Sequence, residues 1–166
     1  MQVTTDLRRS DLIWLNAYML FRLRSNLIFI VVVAVSVFAY LAATGCPTDF
    51  RSWSIITISS VAGGVGGLLA GFLISLTYVL LSSNEKNGTL GGHVYTLSPE
   101  GLHESTTANE ALHKWSGIQS VQKSGKYIHI RINSYLFHLI PRRAFGTEKE
   151  FQEFWEKANE YWKQAA

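Results

Sequence analysis

Two long stretches of the chain carry no charge. None of Asp, Glu, Lys or Arg occurs from Ser25 to Thr48, and none from Ser52 to Asn84. Each stretch exceeds the roughly 20 apolar residues a helix needs to cross the hydrocarbon core of a bilayer. Core helices of soluble proteins rarely run so far without a charge. In hydrocarbon the backbone must bond to itself, so even the β-branched run LIFIVVVAVSV reads as helix. The pattern predicts one span over 27–43, ended by Gly45 and Pro47, and a second over 53–81, long enough to tilt or protrude. The loop TGCPTDFRS between them is short, so the spans form an antiparallel hairpin unit over 27–83. Residues 1–26 read as an N-terminal cytoplasmic or interfacial helix, with Ser10 or Asp11 as its cap.

At Asn84 the pattern changes. NEKNGTLGG, residues 84–92, reads as a juxtamembrane linker. After it come short extended segments: VYTL, the turn SPEG, LHEST, EALHKW, KYIHIRI and YLFHLI. A two-residue turn at Asn133-Ser134 would set Ile132 against Tyr135, Ile130 against Phe137 and Ile128 against Leu139 on one face. The other face would then carry His129 opposite His138. TEKEFQEFWEKANEYWKQ is an amphipathic helix, with Thr147 and Glu150 at capping-box spacing and an apolar stripe of Phe151, Phe154, Trp155, Ala158 and Trp162. Residues 93–166 thus predict a cytoplasmic antiparallel β domain closed by a C-terminal helix, the general plan of pleckstrin-homology (PH)-like domains. The fold class expected is an α+β membrane protein, a two-helix transmembrane hairpin followed by this small domain.

Charge sets the orientation. Charged residues are only 16% of the chain and the net charge is +3. Arg8, Arg9, Arg22 and Arg24 precede the first span and Lys86 follows the second, while the loop offers Arg51 alone. By the positive-inside rule both termini are cytoplasmic. Topology and anionic lipid account for the basic residues, and nucleic acid is not expected as a partner. The single Cys46 excludes an internal disulfide and a Cys-rich zinc site. Ser59, Gly63, Gly67, Gly71 and Ser75 recur every four residues and mark a smooth stripe on the second span. In lipid such a stripe lets another backbone approach closely. It is expected to pack within the hairpin, to join copies in a homo-oligomer, or to line a pore.

Candidate chemistry is sparse. Five histidines fall in the C-terminal domain, of which His129 and His138 form a candidate pH-sensitive pair. Three or four converging ligands are not evident in the expected register, so no metal site is expected. Phosphate loops, dinucleotide fingerprints and paired-carboxylate motifs are missing from the sequence, so neither an enzyme nor a cofactor is expected. Arg142 and Arg143, after the strand-stopping Pro141, are candidate contacts for a protein partner or anionic lipid.

The segments LSPEGLHEST, HKWSGIQSV, KYIHIRI, LIPRRAF and FQEFW together resemble the YcxB-like family of bacterial membrane proteins. The family's Trp-x-x-Ile element would be Trp115 with Ile118, and its Pro-basic-x-x-Phe element Pro141, Arg142, Arg143 and Phe145, with arginine at 142 where lysine is common. The Asp11 region also looks like the family's start. The resemblance implies a multi-pass protein of the bacterial cytoplasmic (inner) membrane with a YcxB-like domain, and it implies no established activity. The function expected is a membrane-anchored binding module for an unidentified protein partner. The alternatives are an immunity protein neutralising a membrane-acting toxin, as the resemblance suggests for some members, or a small oligomeric pore or transport component.

Overall fold

The computed structural model describes residues 1–22, 24–133 and 136–165. The chain divides into two compact units, residues 12–81 and residues 1–11 with 82–166.

The first unit is helical. Helix α1 spans Arg9–Arg22, α2 spans Arg24–Gly45 and α3 spans Phe50–Ser82. The last two extend beyond the expected spans at both ends. Asp49 accepts from the Ser52 amide at 2.8 Å and starts α3 three residues early, so only four residues connect the helices. Both helices are long and apolar enough to cross a membrane. No residue of α2 is buried, and α3 buries only Ile56, Ser60 and Gly64. The close approach therefore runs one residue off the expected stripe. A Cβ on Gly64 would lie 2.7 Å from the Ile30 carbonyl oxygen, so the two backbones touch here and no larger residue fits. Ser59, Gly63, Gly71 and Ser75 are exposed, and Gly67 is half-buried against the Phe29 ring.

The second unit contains two antiparallel sheets and a terminal helix. One sheet has the order β1–β2–β3–β4, from Gln2–Leu7, Gly91–Leu97, Gly101–Thr106 and Glu110–Lys114. The other has β5–β6–β7, from Ser120–Ser124, Tyr127–Arg131 and Phe137–Pro141. Helix α4, Glu148–Ala165, follows. The chain is α+β, with the two long apolar helices placed in sequence between β1 and β2.

Two boundaries expected from the sequence are corrected. Residues 2–7 are not part of an N-terminal helix: they form β1, which pairs with β2 from Gln2 opposite Thr96 to Leu7 opposite Gly91. QVTTDL alternates, and its buried positions Val3, Thr5 and Leu7 face the domain. The expected linker 84–92 is also ordered. Asn84 caps a 3-10 turn at Glu85–Asn87, Gly88 ends it in the left-handed conformation, and β2 begins at Gly91.

The β6–β7 register is corrected as well. Ile128 lies opposite Ile140, Ile130 opposite His138 and His129 opposite Leu139, one residue from the expected pairing. The cause is a longer loop. The Leu136 amide donates to the Asn133 side chain at 2.8 Å, and the Ile132 amide donates to the Leu136 carbonyl at 2.9 Å. An asparagine side chain replaces a backbone acceptor and closes a three-residue turn. Ser134 of the expected turn and Tyr135, expected opposite Ile132, lie outside the described residues. Because side chains alternate, the one-residue shift puts His138 on the face of β7 opposite to the one expected.

The core joins both sheets to α4: Tyr95, Leu97, Leu102, Trp115, Ile118, Val121, Ile128, Ile130 and Ile140 meet Phe151, Phe154 and Ala158. The expected α4 stripe is the buried one, with Trp155 and Trp162 packed at its margin. Its N-terminus is capped by Thr147, which accepts from the Glu150 amide at 3.2 Å, while Glu150 reaches back to the Gly146 amide at 2.9 Å.

Candidate functional site

Between the two sheets lies a polar group set in this apolar core. The SPEG turn pairs Leu97 with Leu102, and alternation then places Tyr95 opposite Glu104. His93 shares the face of Tyr95, two residues along β2. On the next strand His113 pairs with Leu102. From the other sheet comes His138, on the core face of β7 through the register described above.

Glu104 is the hub. Its Oε1 accepts from His93 Nδ1 at 3.0 Å, the Tyr95 hydroxyl at 3.1 Å and His138 Nδ1 at 3.2 Å. Burial opposes ionisation of Glu104, but the His138 and His93 hydrogen bonds and charges outweigh it and hold the carboxyl well below the usual carboxylate range. Burial, then the Glu104 charge, pushes the Tyr95 hydroxyl well up, so it remains a donor. Burial, then the charge of His138, pushes His113 down, against a smaller opposing pull from Glu104. The His113 and His138 rings are 4.6 Å apart, centroid to centroid. A carboxylate only accepts, so the proton of each bonded imidazole sits on Nδ1. This leaves His93 Nε2 and His138 Nε2 buried with no hydrogen-bond partner among the described residues. Ligand atoms of Glu104, His113 and His138 all lie within 4.8 Å of one another.

A second cluster centres on Asp11, whose side chain is fully buried. Arg143 grips both its oxygens and also reaches the Asp6 carbonyl at 2.8 Å. Tyr127 donates to Asp11 Oδ1 and the Arg8 amide to Oδ2, both at 2.8 Å. Burial works against the Asp11 charge, yet the bonds from Arg143, Arg8 and Tyr127 prevail and lower its pKa. The cluster ties β1 and the start of α1 to the turn after β7.

These placements revise the expected sites. Arg143 is engaged by Asp11 and Arg142 by Glu148 on α4, and both arginine side chains remain partly exposed. His129 and His138 do not face each other. His138 joins Glu104, and His129 lies on the opposite face of β6 beside Tyr127. Gly67, Gly71 and Ser75 border a cavity of about 370 Å³ among α1, α2 and α3, which Asn16, Asn26 and Phe29 also line. The Glu104 cluster went unrecognised in the sequence, although one signal was legible. Carrying the SPEG turn back along two strands sets Glu104 against Tyr95, with His93 two residues away.

The Trp115 and Ile118 elements are structural. Trp115 Nε1 donates to the Ser98 carbonyl of the SPEG turn at 2.8 Å, and the Ile118 carbonyl accepts from Trp162 Nε1 at 2.8 Å. Phe145 packs edge-on against Phe151 and Phe154, each at 5.4 Å. A two-sheet α+β domain, whose first strand is separated from the rest by a long apolar helical pair, is the class defined by this architecture. Residues 97–156 match the family described as YcxB-like protein, and the chain carries a YcxB-like domain over that stretch. No curated relative and no solved structure matches the chain.

Proposed function

We propose that the chain is an integral membrane protein in which α2 and α3 cross the bilayer as a hairpin. In this reading the YcxB-like domain and both termini are cytoplasmic, and the domain serves as a membrane-held binding module rather than a catalyst. One observation carries the topology. β1 precedes the hairpin and β2 follows it, yet the two are paired along six residues. A strand cannot pair across a bilayer, so both must stand on one side, which requires an even number of crossings. Arg8, Arg9, Arg22, Arg24 and Lys86 favour the cytoplasmic side. The exposed faces of α2 and α3, rich in Leu, Ile, Val and Phe, are those a bilayer would cover. Four plus three antiparallel strands followed by a closing helix also fit a PH-like plan.

The partner surface best supported lies within the hairpin. Among the described residues, a side chain added at Gly66 or Gly71 would meet no atom within 4 Å, and Gly63 is exposed. These positions offer a smooth surface to a further helix, from a second copy or from a protein partner. Cys46 supplies a direct test of topology, because it is the chain's single cysteine and is exposed between the spans. In intact spheroplasts a membrane-impermeant maleimide should label Cys46 from outside, and a Cys46→Ser variant should stay unlabelled. Labelling only after lysis would reject the proposed topology.

A further inference from the structure

We propose that the Glu104 cluster is a binding site for a divalent transition-metal ion of the zinc type. His113 and His138 each supply a ring nitrogen and Glu104 a carboxylate oxygen. The inference concerns the domain alone and does not depend on how the hairpin meets the membrane.

Three observations support it. Glu104, His113 and His138 come from β3, β4 and β7, and their ligand atoms lie within 4.8 Å of one another. Tetrahedral zinc with bonds of 2.0–2.1 Å needs ligand atoms about 3.3 Å apart, a gap that side-chain rotation can close. Next, His138 is 5% exposed and its Nδ1 lies 3.2 Å from Glu104 Oε1, so an ion bound between them would take the place of the proton they share. Finally, the surroundings have the form of a second coordination sphere. His93 Nδ1 and the Tyr95 hydroxyl donate to Glu104 Oε1, which orients the carboxylate as outer partners orient metal ligands.

The ligand chemistry selects the ion. Two imidazoles with one carboxylate suit zinc, cobalt, nickel or copper, whereas calcium and magnesium prefer all-oxygen sites. Glu104 and His113 are only half-buried, which leaves an entry path and room for water as a fourth ligand.

The test uses tag-free full-length protein in detergent, stripped with a chelator and titrated with Zn²⁺ against a chromophoric competitor. The expected result is uptake of one equivalent. His113→Gln and His138→Gln should each weaken it by about tenfold or more. His103→Gln should leave it unchanged, since His103 pairs with Glu110 at the surface. Loading wild-type protein with Co²⁺ should give visible bands of low-coordinate cobalt with nitrogen ligands, a readout that needs no variant. If His138→Gln fails to fold, His113→Gln decides, because His113 is partly exposed. No stoichiometric uptake by wild type would overturn the proposal and assign the buried nitrogens to water. Undiminished uptake by folded His113→Gln would overturn it equally.

Discussion

Asp11 and Glu104 are both carboxylates drawn into the domain by partners distant in sequence, and both sites make predictions at the level of single atoms. Asp11→Ala removes the shared acceptor of Arg143, Tyr127 and the Arg8 amide. Arg143 keeps partial solvent access, which moderates the loss. The expected destabilisation is about 2 kcal/mol, measured by denaturant unfolding in detergent followed by tryptophan fluorescence. The cluster at Glu104 makes the domain pH-sensitive. The pKa of His113 is lower folded than its unfolded value of 6.5, so its contribution is complete above that pH and is lost as pH falls through the folded value. Glu104 and Asp11 are also lowered, from 4.5 and 3.8, and their contributions are lost further down, as pH falls through their folded values. Thermal stability of the metal-free protein should therefore fall in two stages on acidification, and His113→Gln should remove the upper one. An unchanged upper stage in that variant would refute the assignment to His113.

Elements differ in how tightly their contacts constrain them. On α3 the point of closest approach is Gly64, against the backbone of Ile30. Gly64→Leu should force the helices apart and lower the thermal stability of the hairpin. Gly71→Leu meets open space and should leave the isolated monomer unchanged. If Gly71→Leu nonetheless abolishes cross-linking between copies or to a partner in membranes, the intramembrane surface is established. In the sheet, Gly101 has no such freedom, because a Cβ there would lie 2.3 Å from the His113 carbonyl oxygen. This contact holds β3 tightly against β4, where Glu104 and His113 reside.

For the whole molecule, the hairpin's place between β1 and β2 is decisive. The domain cannot be complete until β2, which follows the two long apolar helices, has been made. β1 buries Val3 and Leu7, and removing it would expose their partners and the edge of β2. Burying two such side chains contributes about 3–6 kcal/mol. Deletion of residues 1–8 should therefore make the domain readily cleaved by protease under conditions where the full chain resists. Equal resistance would show that β1 is dispensable.

The uncharged runs, the periodicity of α4 and the turn at SPEG are local features, so the sequence alone determined two long apolar helices, a strand-rich domain and a closing helix. Periodic burial and capping act over a few residues, and nothing distant overrides them. Tertiary structure decided the rest. QVTTDL is too short and polar to announce itself as a strand until β2, more than eighty residues later, pairs with it. The face on which His138 lies depends on whether the β6–β7 turn holds two residues or three, and the Asn133 side chain settles that. The histidines gather around Glu104 because strands from two sheets are packed together, a proximity produced by burial of the shared apolar core and absent from any single segment.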